Sequence, residues 1–175
     1  TVIGTGVPIP AHLDPSESTD YEGELGVIIG EGGRGIAKAA AYDHVFGYTL
    51  INDVTARKLQ NHHKQWFLGK SVDGFCPMGP CVVTADEVGD VTTLTLTTDV
   101  NGERRQEAKV ADLIFDIPTI IETISRTMTL EPGDVIATGT PVGVGIGFNP
   151  PKFLKSGDVV RISIEGIGVL ENPVA

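Results

Sequence analysis

The residues best suited to chemistry are three acids that fall at strand ends. Glu22 and Glu24 stand two apart in YEGELGVII, directly ahead of an apolar run. Side chains alternate across a β-strand, so both carboxylates leave one face while Tyr21, Gly23 and Leu25 leave the other. Taken alone, such a pair reads most simply as the solvent side of an edge strand. Asp53 alters that balance, because it closes the apolar run Tyr48 to Ile51 just before the ThrAlaArg of residues 55–57, where a strand would hand over to a short helix. At about 4 Å and an effective dielectric near 20, each pair of converging carboxylates costs about 4 kcal/mol, so the cluster needs protons or a cation. Oxygen donors without His or Cys favour a hard divalent ion, Mg²⁺ with Mn²⁺ or Ca²⁺ as alternatives, over Zn²⁺.

Basic and polar groups follow the acids. Arg57 and Gln60 come four and seven residues after Asp53, which stacks the three on one face if the segment is helical from its first turn, and Lys70 follows in WFLGKSVDG. Singly, each reads as a solvated surface residue; together with an acid cluster they fit an anionic substrate. The stretch Thr138 to Gly147 (TGTPVGVGIG) contains no Gly-Lys-Ser/Thr, and Pro150-Pro151 forbids the helix that a dinucleotide site needs next. It is either a loop whose N–H groups and Thr140 hydroxyl approach a carboxylate or oxyanion, or a tight turn. Ser71 and Ser125 lie in no nucleophile elbow, Cys76 and Cys81 read as buried small hydrophobes, and Trp66 as a core or pocket wall. His12, His44 and the His62-His63 pair complete the inventory of bases.

These groups need a scaffold, and 175 residues with 41% hydrophobic and 21% charged side chains suffice for one domain with its own core. A formal charge of -10 repels nucleic acid and anionic membrane surfaces, and no apolar run approaches the roughly 18 residues of a membrane span. Two Cys at the wrong spacing for CxxC point to a reducing compartment, the cytoplasm or the mitochondrial matrix. Short β-branched runs at 27–29, 82–84, 135–137 and 159–164 are strand candidates, and Asn101-Gly102 predicts a two-residue hairpin turn. Ile117, Ile120, Ile121, Ile124 and Met128 predict a helix started by Asp116 and Pro118, with shorter helical pieces at Val54 to Gln65 and Lys38 to Tyr42. The sum is a β-rich α+β domain whose mixed sheet curls into a barrel or roll.

Six blocks in order, DYEGELGVIIG, YTLINDVTAR, WFLGKSVDGFCPMGP, VNGERRQ, LEPGDVIATGTPVGVG and FLKSGDVVRISIEGIGVLENPV, resemble the C-terminal catalytic domain of the fumarylacetoacetate hydrolase superfamily across nearly the whole chain. The resemblance implies a mixed β-roll, a homodimer, and Mg²⁺ held by Glu22, Glu24 and Asp53. It further implies substrate contacts from Arg57, Gln60, Lys70, Gly139 and Thr140, with Lys70 and Thr140 as the catalytic pair that steadies an oxyanion or the substrate carboxylate. Such enzymes act on small 2-oxo or 2,4-dioxo acids through an enolate. Hydrolytic members carry a His–Glu pair on an upstream lid; this chain starts downstream of it, at Thr1, and none of the four His replaces it by motif. The leading expectation is acylpyruvate-type C–C hydrolysis. Oxaloacetate tautomerisation or decarboxylation follows closely, favoured by the missing lid and by the Lys64 to Lys70 run, and then a hydroxymuconate-type isomerisation. An inactive metal- or ligand-binding domain is the alternative from another class, and a purely structural domain with solvated acids a third.

Overall fold

A computed structural model describes residues 1–62 and 64–175, so His63 lies outside the described residues. The fold is mixed α+β and rich in strands, as expected, with a curled half-barrel sheet. Among the described residues eleven strands are formed: β1 (Val2–Ile3), β2 (Thr19–Asp20), β3 (Gly23–Ile29), β4 (Val45–Asn52), β5 (Thr55–Ala56), β6 (Cys76–Thr84), β7 (Thr95–Val100), β8 (Glu103–Lys109), β9 (Val135–Ala137), β10 (Val159–Ile164) and β11 (Gly168–Pro173). The helices are α1 (Arg57–His62), α2 (Phe67–Lys70), α3 (Ala85–Val88) and α4 (Ile117–Ser125). A five-stranded sheet runs in the order β1-β6-β4-β3-β9, a four-stranded sheet in the order β11-β10-β7-β8, and β2 pairs with β5 as a small ribbon.

Every residue of β3 is buried, because β4 flanks it on one edge and β9 on the other while the core closes over its face. Tyr21, Leu25 and Val27 join Leu50, Ile162 and Leu170 in one apolar cluster. Burying each such aliphatic side chain is worth about 1.5–3 kcal/mol, enough to hold an acid-bearing strand in the interior. Asn101 (φ 53°) and Gly102 (φ 79°) turn β7 into β8 with Val100 facing Glu103, the two-residue hairpin that the AsnGly signal predicted. Asp116 caps α4 by accepting from the Thr119 N–H at 2.8 Å. That helix stops at Ser125, short of an exposed Met128.

Several local expectations need correction. Among the described residues of Val54 to Gln65 the expected helix forms at Arg57–His62, since Thr55 and Ala56 pair with Asp20 and Thr19 as a strand instead; the part of the expectation that falls on His63 lies outside the described residues. Asp53 is therefore not helical, and a shared helical face is not what unites it with Arg57 and Gln60. Trp66 is 63% exposed rather than a core residue, and Cys81 is exposed rather than buried.

Candidate metal centre

The register of β3 against β4 builds the centre. Gly23 faces Asn52 and Glu24 faces Ile51, so Asp53, one residue beyond β4, lies opposite Glu22. The Asp53 N–H donates to the Glu22 carbonyl at 2.9 Å, and the Glu22 N–H donates to Asn52 Oδ1 at 3.0 Å. One carboxylate oxygen from each of Glu22, Glu24 and Asp53 comes to lie within 4.8 Å of the others. Glu22 and Glu24 are buried, which removes the edge-strand alternative in which they face solvent.

Cations neutralise part of this charge. Lys70, the last residue of α2, places Nζ 2.8 Å from Glu22 Oε2 and 2.5 Å from Asp53 Oδ2. Arg57, buried at the start of α1, donates through Nη1 to Glu22 Oε1 at 2.5 Å and through Nε to Asp20 Oδ2 at 2.8 Å. Gln60 offers Oε1 to Arg57 Nη1 at 3.5 Å. Arg57 Nη2 is buried with no hydrogen-bond partner among the described residues.

Glu24 is treated differently. Its Oε2 accepts the Gly139 N–H at 2.7 Å, and among the described residues it forms no ion pair with Lys or Arg. Burial raises its proton affinity; the Gly139 bond opposes this, the charges of Asp53 and Glu22 add to it, and the carboxyl ends at about 7. Burial also lifts Asp53 above the ordinary carboxylate range, outweighing Lys70. Burial works against the Lys70 ammonium, yet the hydrogen bonds it donates to Asp53 and Glu22 raise its pKa. Four buried or half-buried acids, Asp20 included, thus face two cations, and Glu24 is the acid that neither cation pairs. An oxygen-only pocket with such a deficit fits a divalent ion held by Glu22, Glu24 and Asp53.

The Gly139-Thr140 segment lies against this strand, but its hydroxyl is already engaged. Thr140 Oγ1 donates to the Gly23 carbonyl at 3.0 Å and accepts from Gln106 Nε2 at 2.8 Å. Gly139 adopts φ +102°, which only glycine reaches without strain, and this turns its N–H onto Glu24.

Reading the sequence missed Asp20, Asn52 and Gln106. Asp20 is fully buried and accepts from the N–H groups of Tyr21, Gly145 and Ile146 as well as from Arg57. It adjoins the acid pair in sequence, and a third acid one residue from TyrGluGlyGlu was the available signal.

The family model for the fumarylacetoacetate (FAA) hydrolase C-terminal domain matches residues 1–175. The chain belongs to the fumarylacetoacetate hydrolase family. It is 55% identical over 174 residues to the oxaloacetate tautomerase YisK of Bacillus subtilis (strain 168), matching 99% of this chain and 58% of that protein. Among solved structures, a fumarylacetoacetate hydrolase from psychrophilic Exiguobacterium antarcticum superposes with a TM-score of 0.95 at 53% identity, covering 99% of this chain and 62% of that one. A maleylpyruvate hydrolase from Sphingobium sp. SYK-6, solved with manganese(II) and pyruvate, superposes with a TM-score of 0.86 at 40% identity, covering 99% and 61%. The chain spans 58% of the length of the curated relatives it matches. No helix of the described residues is long and apolar enough to cross a membrane.

Proposed function

We propose that this member of the fumarylacetoacetate hydrolase family enolises a small 2-oxo acid, with keto–enol tautomerisation of oxaloacetate as the reaction. The observation that carries this reading is the convergence of Glu22, Glu24 and Asp53 beside Lys70 and Arg57. The 55% identity to a protein named as an oxaloacetate tautomerase supports the choice of substrate. Glu22, Glu24 and Asp53 hold a divalent cation, Mg²⁺ by preference, with Mn²⁺ or Ca²⁺ suited to the same donors. Such an ion supplies Lewis-acid stabilisation of negative charge on a substrate oxygen.

The chain's own residues do the rest. Lys70, whose side chain is 20% exposed, presents an ammonium where a substrate carboxylate or a developing oxyanion can reach it. Arg57 fixes Glu22 through Nη1 and, with Gln60 beside it, selects the substrate's other end. Gly139 and Thr140 form the edge of the pocket: Gly139 holds Glu24, and Thr140 contributes as part of a loop seated on the Glu22–Glu24 strand. A proton moves between C3 and the 2-oxo oxygen, so atoms balance within the substrate and no second reactant is consumed. The enzyme acts as a cytoplasmic homodimer, which light scattering and fractionation would check.

A second reading, acylpyruvate-type C–C hydrolysis, draws support from the maleylpyruvate hydrolase solved with manganese and pyruvate. Incubating the protein with oxaloacetate or acetylpyruvate, with and without Mg²⁺, and following products by NMR separates the two. Mg²⁺-dependent acceleration of keto–enol exchange in oxaloacetate is the expected result. Pyruvate and acetate released from acetylpyruvate would favour the second reading, and no metal-dependent turnover of either acid would remove both.

A further inference from the structure

β9 pairs with β3 only through Gly26, Val27 and Ile28. Beyond Ala137 the backbone ladder gives way to Thr138, whose N–H and Oγ1 both donate to the Leu25 carbonyl, at 3.2 and 2.9 Å. From there side chains carry the pairing. Gly23, the residue between the two glutamates, gives its carbonyl to Thr140 Oγ1 and its N–H to Gln106 Oε1, the latter at 3.1 Å. Gln106 Nε2 uses both hydrogens, on Thr140 Oγ1 and on the Pro141 carbonyl, each at 2.8 Å. The carboxamide cannot be turned over, because its NH₂ would then face the Gly23 N–H and its oxygen the Pro141 carbonyl. Gln106 belongs to β8 of the four-stranded sheet, is 1% exposed, and reaches across to the five-stranded sheet. A Cβ on Gly23 would collide with Thr98 Oγ1 and press on Gln106 Oε1, so glycine at this point admits the Thr98 hydroxyl and leaves the amide room.

We propose that Gln106 is the positioning residue that fastens the Thr138–Pro141 segment to the glutamate strand, and that this clamp sets the Gly139–Glu24 contact and hence cation affinity. The inference rests on reading Glu22, Glu24 and Asp53 as a cation site. Gln106 has all three of its polar bonds at this junction and touches none of the acids itself, so its effect passes through Gly23, Thr140 and Pro141.

The test is Mn²⁺ calorimetry on Gln106→Met, Thr140→Val and the double variant, with amide exchange followed by NMR. Gln106→Met is expected to weaken Mn²⁺ binding at least tenfold and to speed exchange of the Gly139 N–H at least tenfold, while exchange of Ile121 in α4 stays as in the parent. The electron paramagnetic resonance spectrum of the bound Mn²⁺ should change as Glu24 loses its fixed orientation. Because both side chains serve one clamp, the double variant should bind within about threefold of the weaker single variant. Parent-like Mn²⁺ affinity and Gly139 exchange in folded Gln106→Met would overturn the proposal, as would additive losses in the double variant. If Gln106→Met fails to fold, Thr140→Val, which removes one hydroxyl, carries the same expectations and the same power to refute. A parent chain that takes up no Mn²⁺ would overturn the cation-site reading, and Gly139 exchange would then decide the clamp by itself.

Discussion

Arg57 Nε donates to Asp20 Oδ2 at 2.8 Å, with both side chains almost fully removed from solvent. Asp20 is thereby the hinge pin between the acid strand, the arginine and the 143–146 loop, whose N–H groups it also accepts. Removing one partner of a buried pair strands the other, at about 3–5 kcal/mol. Asp20→Asn should lower the melting temperature by about 10 °C, since each kcal/mol shifts a domain of this size by about 2–4 °C. A melting temperature within 2 °C of the parent would show that Asp20 does not hold the site.

Glu24 makes the metal-free protein sensitive to pH in a defined direction. Its carboxyl titrates at about 7 in the fold against 4.5 outside it. Between those values the unfolded chain releases a proton that the folded chain keeps, so stability falls as pH rises from 4.5 towards 7 and then levels, a loss of about 3 kcal/mol. Glu24→Gln should abolish that loss in the presence of a chelator, as read by denaturant titration across this range. An unchanged pH profile would mean that Glu24 is not held in a proton-retaining environment.

If Glu24 ligates a cation as proposed, the same proton competes with it. Mn²⁺ affinity should fall about tenfold per pH unit below pH 7, with roughly one proton released per ion bound, because a carboxylate must be deprotonated to ligate. Calorimetry in buffers of different ionisation enthalpy counts that proton, and a pH-independent affinity would contradict the assignment of Glu24 as a ligand.

Lys70 occupies space between Glu22 and Asp53 that a cation would contest. Lys70→Met removes one positive charge a few ångströms from the ion, which should tighten Mn²⁺ binding at least tenfold while turnover of oxaloacetate falls at least a hundredfold. Loss of both together would mean that Lys70 serves folding rather than substrate.

Gly139→Ala forces a side chain into φ +102°, and should cost about 1–2 kcal/mol of stability together with weaker Mn²⁺ binding through its bond to Glu24. Equal stability in both proteins would show that the loop relaxes freely.

Alternation made the acid pair legible, and the AsnGly turn and the Asp116 cap were legible because each is a local rule with one physical cause. The pairing register that brings Asp53 beside Glu22 is a long-range fact, and no spacing argument along the chain contains it. Helical stacking gave a false reason for a true neighbourhood, since Arg57 reaches Glu22 from the end of the β2–β5 ribbon. Gln106 was hidden for a different reason. The segment ERRQEAK has no apolar alternation to mark an inward face, so one buried polar residue among exposed and half-buried ones looks like its neighbours. Trp66 misled through its size, for a large ring expected in the core stands in solvent here.

The most direct measurement is anomalous diffraction from crystals of the protein grown with Mn²⁺. One strong manganese peak is expected, bounded by carboxylate oxygens of Glu22, Glu24 and Asp53, with Lys70 Nζ drawn away from Glu22 and Asp53. A peak elsewhere, or none among these three residues at saturating Mn²⁺, would contradict it.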